Sequence, residues 1–172
     1  FHDGSDLTPL DVKATIDRMA FPPEGVAANS KGLWQSTSLR EITATDDSVT
    51  FHLDEPRSTQ HMMAVFSESQ GKISSKANLD EFGGNMKKVD LSKVSGSGPF
   101  KFVEQNADHF VVEANMDYWN PNAPYLDGVE TIWIPVFSPQ LTAALQTKMI
   151  DFGGITAPAD SASLLSTPGL NH

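Results

Sequence analysis

The amino-acid sequence predicts an α/β fold with a mixed sheet and a crossover helix. Three patterns point to it. Apolar and polar residues alternate in Val49–Leu53 and again through Phe100–Ala114, the period of strands with one buried face. Thr8-Pro9 and Ser138-Pro139 each join a capping side chain to a proline suited to the first helical position, ahead of apolar residues at helical spacing. The run Val129–Val136 is apolar on both faces, as in a central strand covered on each side. A helix and a second short apolar segment, Ile150–Gly154, follow it, and strand, helix and strand over this length form a right-handed crossover unit.

Taken in order, Phe1-His2-Asp3-Gly4 reads as a strand end running into an Asp-Gly turn. Thr8 caps the first helix, Asp11 completes a capping box, and Val12, Ile16 and Met19 mark its buried face. Pro22-Pro23 stops it. The polar stretch from Glu24 to Ser38 reads as a loop. Leu39–Thr43 and Val49–Leu53 are strands joined by the Asp46-Asp47-Ser48 turn. Thr59–Phe66 is a short helix, and Glu81–Lys93 a loop or linker. The character changes near Ser95, which places a smaller subdomain in residues 1–95 and a sheet-and-helix part in residues 96–172. Within the second part, Asn106-Ala107-Asp108 turns an antiparallel hairpin. Leu141, Ala144, Leu145 and Met149 form the stripe of the helix after Ser138, and Asp160–Leu165 forms a last helix.

The chain has 172 residues, 22 acidic against 12 basic, and a net charge of -10, which argues against nucleic acid and anionic membrane surfaces as partners. With no cysteine there is no disulfide, thiolate metal site or cysteine nucleophile. No apolar run approaches the roughly 20 residues that cross a bilayer. None of the five histidines, at 2, 52, 61, 109 and 172, pairs at i, i+4, so no metal site is expected. The acidic neighbours Asp46-Asp47 and Asp54-Glu55 do not by themselves supply two carboxyls across a cleft, as a glycosidase needs. Ser36, Ser67 and Ser97 lack the setting of a nucleophile elbow. Gly96-Ser97-Gly98 runs into Pro99 and reads as a tight bend that starts a strand, not as a nucleotide fingerprint. Tyr118, Trp119 and Tyr125 either line a cleft or plug the corner where the hairpin meets the sheet. Trp133 is expected in the core. Trp34, alone in a glycine-flanked loop, is a candidate ligand contact. Ligands of open α/β sheets collect at the carboxyl ends of strands, which makes Gly153-Gly154-Ile155-Thr156 the leading candidate site.

Two blocks carry a family resemblance. One is Phe1-His2-Asp3-Gly4 with Leu7-Thr8-Pro9-Leu10-Asp11-Val12. The other runs from Gly96-Ser97-Gly98-Pro99-Phe100 through Asn115-Met116-Asp117-Tyr118-Trp119 and Pro124-Tyr125-Leu126-Asp127-Gly128 to Ile150-Asp151-Phe152-Gly153-Gly154. In this order they resemble the extracellular solute-binding proteins of family 5, the peptide/nickel type. The resemblance implies a partial lobe of the periplasmic-binding-protein type II fold. The stretch would be an internal piece of the first lobe of a longer, two-lobed protein. Such a protein captures a peptide or other small solute outside the cytoplasmic membrane, periplasmic or extracellular and in some members lipid-anchored. It delivers the solute to the permease of an ABC importer.

No enzymatic step and no cofactor are implied, and two lobes close on the solute by a hinge. Mapping on Ile150-Asp151 places solute contacts at Gly154, Ile155 and Thr156, with Gly153 beside them. The loop holding Asn29 and Ser30 would lean over the cleft mouth. A stretch holding half a cleft is expected to bind solute weakly when alone and, through bared strand edges, to self-associate. The alternative reading is a secreted hydrolase domain acting through carboxylates.

Overall fold

The computed structural model describes residues 1–26, 31–82, 89–135, 138–154 and 158–169. Helix α1, Pro9–Ala20, starts where the sequence places it. The Asp11 carboxylate accepts from the Thr8 backbone N–H at 2.8 Å and from the Thr8 hydroxyl at 2.7 Å. This holds the first turn and puts a negative charge near the positive helix end. Ile16 and Met19 are buried and Val12 packs against them. The helix ends before Pro22-Pro23, with the Phe21 N–H bonded back to the Asp17 carbonyl at 2.7 Å.

Strands β1 (Leu39–Ala44) and β2 (Val49–Leu53) form an antiparallel hairpin. Ile42 lies opposite Phe51 and Ala44 opposite Val49, and the register slips between Leu39 and Glu41. The Thr45 N–H closes the turn on the Ser48 carbonyl at 2.9 Å. Helix α3 (Thr59–Ser67) is capped by Ser58, whose hydroxyl accepts from the His61 N–H. It turns Val65 and Phe66 inward and leaves Met63 exposed. Short 3-10 turns at Ser69–Gly71 and Leu91–Lys93 flank helix α4 (Lys76–Glu81), which the sequence reading left unassigned.

One correction concerns Trp34. It does not stand in an open loop. It lies on a short helix, α2 (Lys31–Gln35), with none of its surface exposed. The ring meets Phe66 edge-on at 5.4 Å, and Phe66 meets Phe51 in the same way at 5.3 Å. Around these rings Ile16, Met19, Ala20, Leu39, Ile42 and Val65 complete a core cluster. Five residues of α2 give too short a periodic signal to reveal a helix, and its only buried residue is Trp34 itself.

Strands β3 (Phe100–Gln105), β4 (His109–Ala114) and β5 (Gly128–Ile132) form a second sheet in the order β3-β4-β5. The Asn106 N–H closes the β3–β4 turn on the His109 carbonyl at 2.9 Å. Bonds from Ala114 to Asp127 and from Trp133 to Asp108, both 2.8 Å, set β5 antiparallel to β4. Helices α5 (Pro139–Gln146) and α6 (Pro158–Leu165) follow.

Contacts divide the chain into two units, Phe1–Glu104 with Val112–Gly128, and Gln105–Val111 with Val129–His172. Ser95 itself lies within the first unit. The reason is local. The Ser95 hydroxyl accepts from the Asp3 N–H at 3.1 Å, and the His2 N–H bonds the Gly96 carbonyl at 2.7 Å. The Asn115 N–H bonds the Pro99 carbonyl at 2.8 Å.

Three further expectations need correcting. β5 is not a covered central strand: among the described residues it pairs with β4 alone, and Trp133 is 56% exposed instead of core. An apolar run reads the same whether or not neighbours cover it. Ile150–Gly154 makes no strand pairing among the described residues, so the return arm of the crossover is irregular chain with a bend at Asp151. Met149 is exposed, because α5 ends three residues earlier, at Gln146.

Candidate functional site

In the second unit, α5 and the chain that leaves it shape the leading candidate site. Ser138 and Pro139 set the start of the helix, and Leu141, Ala144 and Leu145 supply its inward stripe. Its end is a Schellman motif. The Lys148 N–H bonds the Leu145 carbonyl at 3.1 Å and the Met149 N–H bonds the Ala144 carbonyl at 2.8 Å. Lys148 itself takes the left-handed conformation, φ 56°, a position glycine usually fills.

The chain then reverses along the helix. Gly153 packs its backbone on the stripe: a methyl group there would lie 3.2 Å from Leu141 Cδ1, 3.3 Å from Ile150 Cδ1 and 3.5 Å from Leu145 Cδ1. One residue on, a methyl on Gly154 would meet nothing within 4 Å. Gly153 is thus anchored and Gly154 bare, so an open stretch of main chain can offer peptide N–H and C=O groups to a bound molecule. Phe152 beside it is 91% exposed.

Of the seven residues the sequence singles out, Gly153 and Gly154 sit side by side here. Asn29, Ser30, Ile155 and Thr156 lie outside the described residues. Trp34 belongs to the core, and a side chain with no exposed surface has none to offer a solute.

The carboxylate pairs are occupied by local structure. Asp46-Asp47 forms the β1–β2 turn, where the Thr45 hydroxyl donates to Asp47 Oδ1 at 2.9 Å. Asp54 faces Arg40 at 3.5 Å and Glu55 faces Arg57 at 3.1 Å. Among the described residues no three or more His, Asp and Glu side chains gather to hold a metal ion. The described histidines have ordinary neighbours: His2 Nε2 meets the Gly98 carbonyl at 2.9 Å and His52 meets the Thr43 hydroxyl at 3.0 Å.

The aromatic group on the β4–β5 connection does not plug a corner. Tyr118 and Trp119 stack at 5.5 Å in a tilted pair, with Trp119 80% and Tyr125 91% exposed. One feature the sequence reading missed is a recess of about 250 Å³ lined by Thr8, Pro9, Leu10, Ala44, Thr45 and Asp46. It joins the start of α1 to the β1–β2 turn, segments too far apart in the chain for any local pattern to show it.

The family to which these short sheets and cap-and-proline helices belong is given by a match that runs over the whole sequence. The chain belongs to the bacterial extracellular solute-binding proteins, family 5 (middle region), matched over residues 1–172.

Among curated proteins it is similar to the glutathione-binding protein GsiB of Escherichia coli strain K12, 30% identical over 168 residues. That match covers 96% of this chain and 30% of the relative. Among solved structures it is similar to the periplasmic binding protein DppA of Helicobacter pylori in complex with the peptide STSA. The TM-score is 0.74 and the identity 29%, over 95% of this chain and 33% of that one. It is also similar to the oligopeptide-binding protein AppA of Bacillus subtilis in complex with a nonapeptide. Here the TM-score is 0.72 and the identity 27%, over 97% of this chain and 32% of that one. The α/β architecture is therefore that of periplasmic binding proteins of type II. The chain spans about 30% of the length of the curated relatives it matches.

Proposed function

We propose that this chain is part of the solute-binding component of an ABC importer. The whole protein captures a peptide or other small solute outside the cytoplasmic membrane and hands it to the membrane permease unchanged. The single observation that supports this most is the family match over all 172 residues. The relatives' names add to it: one is called glutathione-binding and two were solved with peptides bound. The main chain around Gly154, with Gly153, Ile155 and Thr156, contributes solute contacts, and the loop of Asn29 and Ser30 borders the cleft. The protein works in the periplasm or at the cell exterior, there held by a lipid anchor. No helix among the described residues is long and apolar enough to cross a membrane.

A hydrolase acting through carboxylates has no support here, since both acidic pairs are engaged in turns and exposed ion pairs. Taken alone, the 172-residue piece binds solute weakly and self-associates along the open edge of β5. Isothermal titration of the full-length protein with glutathione, tri- to pentapeptides and simple sugars tests the reading. Binding of at least one probe supports it, and no heat from any probe refutes it. Light scattering of the piece at high concentration tests the second statement, and a clean monomer counts against it.

A further inference from the structure

Helix α1 has two inward faces. Val12, Ile16 and Met19 form the apolar one. Asp11 and Thr15, one residue earlier on each turn, form a second that is buried and polar. A helix seldom buries a carboxylate without a cation, and this one is held by N–H and O–H donors. Besides its bonds to Thr8, Asp11 accepts from the backbone N–H of Lys76 at 2.7 Å. Lys76 is the first residue of α4, so this is a donor that the helix itself cannot satisfy.

One turn along, the Thr15 hydroxyl donates to the Ser74 carbonyl at 3.0 Å and accepts from the Ser74 N–H at 3.1 Å. Two side chains thus hold the main chain of residues 74–76 much as a neighbouring strand would. The hold continues through Asn78. Its Nδ2 donates to the Lys93 carbonyl at 3.0 Å and its Oδ1 accepts from the Ser95 N–H at 2.8 Å. The Ser95 hydroxyl in turn receives the Asp3 N–H.

Among the described residues the same segment's other polar side-chain ties are the exposed ion pairs Lys76–Asp80 and Lys93–Glu81. α4 has six residues, too few to be stable alone, and its one buried residue is Leu79. Ile73 adds a partly buried contact with the core.

We propose that residues 73–82 form a strap that opens from α1 as one local unit, its closure set by Asp11 and Thr15 and relayed through Asn78 to the bend at Ser95. The strap is a conformational device independent of which solute the protein takes. Opening it releases the Lys93 carbonyl and the Ser95 N–H from Asn78 while the core around Trp34 stays folded.

Native-state amide exchange on the full-length protein tests this, with the Asp11→Asn and Thr15→Val variants and Thr15→Ser as the conservative control. Each strap bond contributes enough that losing one or two raises the opening equilibrium roughly tenfold to a hundredfold. The expected result is that increase at the amides of Ser74, Lys76, Leu79, Phe82 and Ser95 in the first two variants. In the parent the strap amides should exchange together and with a smaller opening free energy than the β1–β2 hairpin, and Thr15→Ser should stay near the parent rate. Strap and hairpin amides that exchange with one common opening free energy in the parent would overturn the proposal, because the two would then open only together. So would no increase in either variant, or a Thr15→Ser protein as fast as Thr15→Val.

Discussion

Replacing Trp34 separates a core residue from a solute contact. The indole has no exposed surface, and it packs against Phe66 and the Ile16–Ile42 cluster. Truncation to alanine leaves a cavity that these neighbours only partly fill, at a cost of about 3–5 kcal/mol. For a chain of this length that lowers the melting temperature by roughly 6–20 °C, at about 2–4 °C per kcal/mol. Phenylalanine should behave differently. The Trp34 Nε1–H is buried with no partner among the described residues, and an unsatisfied donor of that kind costs about 1–3 kcal/mol. Trp34→Phe loses ring volume but removes that donor, so the two effects oppose and the net change stays within roughly 1.5 kcal/mol. The assay is calorimetric unfolding of both variants of this chain beside solute titration of the same variants of the full-length protein, well below their melting temperatures. Both should keep the parent affinity. A Trp34→Ala protein that melts like the parent yet loses solute would refute the core assignment.

Other variants probe the candidate site and the helix ends. Lys148→Gly should raise stability by about 0.5–1 kcal/mol in urea unfolding, because glycine takes the left-handed position at the end of α5 without a Cβ penalty. Gly153→Ala should cost about 1–2 kcal/mol by crowding Leu141, Leu145 and Ile150, while Gly154→Ala should leave the melting curve unchanged. Gly154→Trp should weaken solute binding in the full-length protein without unfolding it, and unchanged affinity would remove Gly154 from the contact set.

Acid should act through Asp11. Burial alone would push its carboxyl up, but donors from the Lys76 N–H, the Thr8 hydroxyl and the Thr8 N–H outweigh it and hold the group below its ordinary 3.8. Its stabilising contribution is therefore complete above that value and is lost as pH falls through the lower folded-state value. Asp11→Asn should be less stable at pH 7 and should show a shallower acid limb in unfolding midpoints measured from pH 2 to 7.

Local signals carried much of this fold. Thr8-Pro9 and Ser138-Pro139 located two helix starts, and the alternating runs gave β2, β3 and β4, because caps and period-two patterns are complete within a few residues. What escaped depends on partners distant in the chain. The burial of Trp34 comes from Phe66 and Ile42, not from its own neighbours. The docking of α4 depends on Asp11 and Thr15, some sixty residues earlier in the chain, which the capping motif explained only in part. The exposure of Trp133 and the unpaired Ile150–Gly154 stretch follow from which strands lie alongside, and an apolar run does not state that. At the candidate site, the sequence reads the glycine pair as a strand end, whereas Ile150–Gly154 makes no strand pairing among the described residues. That only Gly154 is bare became clear once α5 was seen to pack on Gly153.

The most direct test of the account is equilibrium binding of solute to the full-length protein, followed by mass spectrometry of the solute released from it. A probe such as glutathione or a short peptide should bind saturably and come off with its mass unchanged. A bound probe released as cleaved or modified product would contradict the account.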